Sequence, residues 1–298
     1  MFKNVRFYRI HSDWPEGEEA LSGMLESVEF KPCPAYSGLS VGFEAPVENA
    51  GDRLARSLGG ADLLQMRRQT KVLPVAAVKE ALADRIDEFT RRTRQEPTRR
   101  EKRELKEEVY ADLLPRALLK SDRIRAFYMR SESILTIGTP NAKIAEELLD
   151  RLRDAFGSLQ ATPLEFKKSA QTLMKEIFLG GDVAQFAAGR ECRMKDPSEP
   201  TSTVNWFDME LHDSSVRTHV RDGLILDRLG ISFNAIVRFV LADDLVLRKI
   251  RFEGLEELDE LDDEDPLVRH DAEFVLTSGL LRAVLVALKT QLGGYVRA

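Results

Sequence analysis

Residues Gln69 to Lys120 read QTKVLPVAAVKEALADRIDEFTRRTRQEPTRREKRELKEEVYADLLPRALLK, and two helical patterns meet in them at Gln95-Glu96-Pro97. In the first, Val78, Leu82, Ile86 and Phe89 recur at three- and four-residue spacing and so share one face. Pro74 suits the first turn of that helix, where its missing N–H is not needed. The second begins at Thr98, and Glu101, three residues on, completes a capping box. Its stripe is Leu105, Val109 and Leu113, and Pro115 ends it. Two such helices joined by a short break predict an antiparallel hairpin. Each stripe is narrow, so the pair must lean on something while its tip stands in water.

That tip carries Arg91, Arg92, Arg94, Arg99, Arg100, Lys102 and Arg103. Two readings are open. One is a solvated helix face laced by pairs such as Arg103 with Glu107, because Glu96, Glu101, Glu104, Glu107 and Glu108 are interleaved. The other is a projecting basic arm that meets an anion, with a nucleic-acid backbone as the natural partner.

Working outward, 298 residues supply two or three domain-sized units. With 43% hydrophobic and 32% charged residues the chain has no disorder signature, and no apolar run approaches a membrane span. The start, MFKNVRFYRI, lacks the apolar stretch of a secretory signal, so a cytoplasmic protein is expected. Cys33 and Cys192 then read as two buried free thiols. The net charge of −6 argues against a nucleic-acid binder, but nine acids lie in Glu253 to Asp265 (EGLEELDELDDED), which contains no base. A basic surface elsewhere is compatible with that distribution.

The remaining chain predicts an α+β fold with mixed sheets. Strands are expected at Phe2 to Ile10, Ser40 to Phe43, Ala61 to Val72, Arg125 to Met129, Ile134 to Ile137 and Thr162 to Phe166. A short helix opens after Trp14-Pro15-Glu16, and Ala142 to Phe156 is an amphipathic helix stopped by Gly157. The order hints at two related halves around the inserted helical pair. Beyond it, Ala170 to Leu179 is helical, a polar segment with Pro197 and Pro200 follows, and Ser214 to Val220 gives one or two helical turns. Leu224 to Leu229 and Ile231 to Val240 are β-rich, Asp243-Asp244 turns into Leu245 to Phe252, and Ala272 to Leu292 is a core helix. The expected division is residues 1–72 with 121–167 as a central domain, 73–120 as the inserted arm, and 168–298 as a C-terminal domain.

Catalytic chemistry is sparse. The sequence has no phosphate-binding glycine loop, no C-x-x-C and no H-E-x-x-H, so no cofactor or metal site is expected. His212-Asp213 and His270-Asp271 are adjacent pairs whose side chains diverge, which favours surface or structural histidines. Ser214-Ser215 lacks a nucleophile elbow. Asp243-Asp244 is explained by turn chemistry and the Glu253 to Asp265 run by a solvated acidic loop. The residues describe a protein that binds.

Seven stretches in order resemble the RdgC family of bacterial recombination-associated proteins over nearly the whole chain: FKNVRFYRI at Phe2, FKPC at Phe30, RRQTKVLP at Arg67, LKEEVYADLLPRA at Leu105, LRDAFGSLQATPL at Leu152, DDLVLRKIRFEG at Asp243 and DAEFVLTSGLLRAVLVALKTQLGG at Asp271. The resemblance implies a non-enzymatic, nucleoid-associated protein. It forms a homodimeric ring around double-stranded DNA, with single-stranded DNA as a further ligand, and limits access of the RecA recombinase. It also assigns residues. Arg67, Arg68, Lys71 and Arg116 match basic positions of the family pattern and are expected to bind DNA, joined by Arg99, Arg100 and Arg103 at the arm. Lys195 is carried over from a run that in the family is more basic and amide-rich. Leu118, with Leu119, stands where the family can place an aromatic residue that closes the ring. Two other classes stay open: a protein–protein adaptor using the charged arm, and a Mg²⁺-dependent nuclease using the acidic run.

Overall fold

The computed structural model describes residues 2–47, 51–181, 183–199, 201–211, 213–254 and 265–296. In chain order the elements are β1 (Arg6–Ile10), α1 (Glu18–Leu25), β2 (Leu39–Glu44), β3 (Ala55–Leu58), β4 (Ala61–Val72), α2 (Val75–Thr93), α3 (Arg99–Leu113), β5 (Leu118–Met129), β6 (Ile134–Ile137), α4 (Ala142–Phe156), β7 (Ala161–Pro163), α5 (Ala170–Phe178), β8 (Phe186–Lys195), β9 (Thr203–Trp206), α6 (Ser214–Arg221), β10 (Ile225–Phe233), β11 (Val237–Ala242), β12 (Leu247–Phe252) and α7 (Pro266–Gln291). The architecture is α+β, with two antiparallel sheets. One has the order β2-β4-β5-β6-β1-β7 with β3 on β4, the other β12-β11-β10-β8-β9.

The chain divides into two compact units, one made of Met1–Ser27, Ala45–Gln65 and Arg125–Ala298, the other of Val28–Glu44 and Met66–Ile124. β4 and β5 contribute a half to each. In the larger unit the two sheets meet where Val5 and Leu247 exchange backbone hydrogen bonds of 2.9 and 3.1 Å. Its core is continuous: Phe2, Phe127 and Phe274 pack edge to face, and α5 and α7 add Leu173, Met174, Phe178, Leu281, Leu285 and Leu288. Asp62, fully buried, is neutralised by Arg130 at 2.6 Å and accepts from the Trp14 indole at 3.0 Å, so its charge is paired and hydrogen-bonded.

The smaller unit is thinner. Along α2 and α3 only Val78, Leu105 and Val109 are buried. Residues 94–98 join the two helices, and Arg85 donates to Asp112 between them at 2.6 Å. Thr98 and Glu101 form the capping box, each satisfying the other's backbone N–H. Arg94 closes α2 in the left-handed region, its N–H bonded to the Thr90 carbonyl at 2.8 Å.

Several expectations need correction. β3 went unpredicted, and the polar segment after α5 contains β8 and β9. Along β8 the inward Cys192 and Met194 alternate with charged outward residues, and the pairing with β10 slips between Leu229 and Ile231. There Gly189 and Gly230 touch: a Cβ on Gly189 would lie 2.9 Å from the Gly230 carbonyl carbon. Gly230 therefore lies inside β10 and does not divide two strands. The break comes at Asn234 and Ala235, both at positive φ. β5 begins at Leu118, not Arg125, because its first half is exposed and lacks an alternating pattern. The strand expected at Thr162 to Phe166 is only Ala161–Pro163, and Phe166 bridges Tyr295. α7 starts at Pro266, capped by the Asp265 side chain, six residues before the expected start at Ala272. Cys33 is half-buried, its Sγ 3.1 Å from the Ser37 carbonyl oxygen, so only Cys192 is a buried thiol.

Candidate nucleic-acid interface

The smaller unit holds all the predicted DNA and dimer residues except Lys195. Within it, the strand order β2-β4-β5 brings Arg67 and Arg123 to Glu44, whereas Lys71 lies at the other end of β2, its N–H donating to the Gly38 carbonyl. The Arg67 guanidinium lies over the Phe30 ring at 4.5 Å, reaches Glu44 at 3.4 Å and donates to Ser121 at 3.3 Å. Arg123 meets the same carboxylate at 2.6 Å. The Lys71 ammonium donates to the Ala35 carbonyl, and Arg68 is half-buried. Arg67 and Lys71 are thus held in place by their own unit, which orders them and partly neutralises Arg67.

The cations of α2 and α3 have a different setting. Arg100 pairs with Glu104 at 2.9 Å and Arg103 with Glu107 at 3.3 Å, both in the one-turn spacing read from the sequence and both largely exposed. Such pairs are weak, about 0.3–0.5 kcal/mol each, and can be exchanged for a phosphate. Arg91, Arg92, Arg94, Arg99 and Lys102 are exposed and have no carboxylate partner among the described residues. Arg116 is exposed in the turn after α3. Beside it Leu118 and Leu119 are 73% and 54% exposed, an apolar pair presented to water at the start of β5.

Charge separates between the units. The smaller carries 17 Lys and Arg against 13 Asp and Glu, a net of +4, and the larger 27 against 37, a net of −10. The excess of formal positive charge therefore lies in the smaller unit.

Lys195 lies in the larger unit, on β8, where it pairs with Asp243 at 3.0 Å. Asp244, its neighbour in the β11–β12 turn, binds Arg6 at 2.7 Å. A groove of about 880 Å³ on the same sheet is lined by Lys3, Arg190, Arg238, Arg251 and Phe207. Three of its five cations are engaged by carboxylates, Arg190 by Asp208 and Glu210, Arg238 by Glu253, and Lys249, which also lines it, by Glu191. Sequence reading gave no role to Arg190, because β8 was not recognised as a strand and no face could be assigned.

Three of the four histidines are among the described residues. His11 is 2.9 Å from the Thr162 hydroxyl, and His219 tilts against Trp206. His270 is partly buried and 3.8 Å from Asp271, with neither ring nitrogen hydrogen-bonded. Burial and the Arg125 charge hold its imidazole below the usual range, against Glu273 and Asp271. Burial pushes the Cys192 thiol up to about 12, so it is not a thiolate nucleophile. Among the described residues no three His, Cys, Asp or Glu side chains are grouped to hold a metal, and no helix is long and apolar enough to cross a membrane. His212 and most of the acidic run, residues 255–264, lie outside the described residues.

A family model described as "Putative exonuclease, RdgC" matches residues 1–295. A protein of Shewanella sediminis named recombination-associated protein RdgC is 31% identical over 298 residues, covering 98% of both chains. Proteins of the same name from Aeromonas hydrophila and Proteus mirabilis are each 29% identical over 296 residues, again at 98% of both chains.

Proposed function

This chain belongs to the RdgC family, and we propose that it is a non-catalytic, sequence-independent DNA-binding protein that closes as a homodimeric ring around duplex DNA in the nucleoid and restrains RecA-dependent recombination. The observation that carries the reading is the segregation of charge, +4 on the smaller unit against −10 on the larger, computed from 17 bases and 13 acids against 27 and 37. Binding by phosphate neutralisation needs such a basic surface and no base-reading side chains. In this reading α2 and α3 form the projecting hairpin arm. Arg99, Arg100, Arg103 and Arg116 meet the backbone from exposed positions, Arg67, Arg68 and Lys71 from ordered ones, and Leu118 with Leu119 joins a second copy.

The test is duplex affinity against salt, with mass in solution measured alongside. A dimer engaging roughly six phosphates gives a log–log slope near −5. Replacing Arg67, Arg68 and Lys71 together by Gln flattens it. A monomer with weak, salt-insensitive binding overturns the reading and transfers the arm to a protein partner.

The description of the family as a "Putative exonuclease" supports one second reading, a nuclease. It requires divalent-dependent degradation of DNA that is lost when Asp262, Asp263 and Glu264 become amides. Undiminished degradation in that variant excludes this acidic run as the metal site.

A further inference from the structure

The second sheet gathers positive charge at one place in the larger unit. Strand register sets Arg228 of β10 directly opposite Arg193 of β8, and Arg248 of β12 opposite Val240 of β11, itself opposite Gly230. Like charges facing one another across strands are destabilising unless something neutralises them. Three carboxylates are present and each is taken: Asp227 holds Arg193 through two bonds, Asp243 holds Lys195 at 3.0 Å, and Asp244 holds Arg6 at 2.7 Å. Among the described residues no carboxylate lies within ion-pair distance of Arg228 or Arg248, and Asp244 acts on Arg248 only from farther off. The Arg248 Nε is enclosed and has no hydrogen-bond acceptor. Both side chains remain partly open to solvent, so a ligand can reach them.

We propose that Arg228 and Arg248 form a binding site for a phosphate-type oxyanion, and that its occupant is a phosphate of a nucleic-acid strand. A guanidinium presents donors in a planar fork that matches phosphate oxygens, and a phosphate on the solvent-open side of the two arginines offsets the repulsion between them. Burial, followed by the charge of Arg228 and with Arg6 and Arg193 contributing, outweighs the opposing charge of Asp244 and disfavours the charged form of Arg248, and a bound anion adds to what Asp244 supplies. The choice of occupant rests on the DNA-binding reading. The oxyanion site does not, and it lies in the unit whose net charge gives no hint of it.

The experiment uses the full chain, with Arg228→Gln, Arg248→Gln and Arg248→Lys as variants checked for native circular dichroism. Thermal unfolding is followed against inorganic phosphate and pyrophosphate, with chloride at equal ionic strength as reference. Duplex salt slopes are measured in parallel. The wild type gains thermal stability with phosphate beyond the chloride reference, and both Gln variants lose that gain. Arg248→Lys, which keeps the charge but not the fork, loses most of it. Each Gln variant also shallows the duplex slope by about 1. An equal phosphate response in wild type and variants overturns the site and leaves the cluster as structural charge. Loss of the phosphate response with unchanged duplex slopes overturns the nucleic-acid occupant and assigns the site to a free phosphate. Failure of the DNA-binding reading is seen separately, as a wild type that shows no salt-dependent duplex binding.

Discussion

The larger unit buries a continuous apolar core and carries a net charge of −10 from 27 bases and 37 acids, whereas the smaller keeps only Val78, Leu105 and Val109 buried along α2 and α3 and carries +4 from 17 and 13. A wide buried face fixes most positions as apolar. A narrow stripe leaves most of each helix in water, where charged residues keep helix propensity and solubility without a packing requirement. The α2–α3 pair can therefore carry exposed cations at little cost, and the same economy of packing makes it the weaker part of the molecule.

The sharpest way to break this comparison is to delete equivalent apolar groups from both units. Phe127, fully buried and packed edge to face on Phe2 and Phe274, should cost about 3–5 kcal/mol as Ala, lowering the urea midpoint of the whole larger unit. Leu105→Ala in the arm should cost about 2 kcal/mol, at the low end for a buried leucine. Its signature is loss of amide-exchange protection across α2 and α3 with the larger unit unchanged. Equal costs spread over the whole chain would show that the two units unfold together.

A smaller effect is expected at the start of α3. Thr98→Ala removes one half of the capping box and should cost about 1 kcal/mol, read as faster exchange in the first turn. Thr98→Ser keeps the acceptor and should behave as wild type. No difference between the two variants would mean that packing alone sets the start of the helix.

The smallest effect concerns pH and lies in the larger unit. His270 is held below its ordinary range by burial and by Arg125, so the unfolded chain binds the proton more readily. Stability from this residue is complete above the unfolded imidazole pKa, about 6.5, and is lost as pH falls through the lower folded value. His270→Leu suits a site where neither ring nitrogen is hydrogen-bonded, and should flatten the stability profile on the acid side of pH 6.5. An unchanged slope would assign the acid sensitivity there to carboxylates alone.

How much could be read in advance follows the physics of each element. β4 was legible to its end residues, as was the helix Ala142–Phe156 with its stop at Gly157 in the left-handed region, because local pattern and local chemistry agree there. Thr98 and Glu101 announced the start of α3 for the same reason. β8 was not legible. Its inward residues are few, its outward ones charged, and a bulge at Gly189 shifts the alternation that marks a strand. With β8 unread, Arg193 and Lys195 could not be placed on a face, and Arg228 and Arg248 gave no signal. Of the candidate DNA residues, the sequence could number the exposed arm cations but could not tell that Arg67 lies on Phe30 and shares Glu44 with Arg123.

The sequence by itself determined helices α2 and α3, the capping box of α3, their charge, and the resemblance that placed the chain in its family. These are properties of neighbours within one or two turns, or of residue order. Only the tertiary structure decided which cations are bound and which are left over, since a carboxylate that neutralises an arginine comes from anywhere in the chain. Asp244 reaches Arg6 from 238 residues away. Charge is written locally, but its compensation is a matter of three-dimensional distance, and among the described residues no carboxylate comes within ion-pair distance of Arg228 or Arg248.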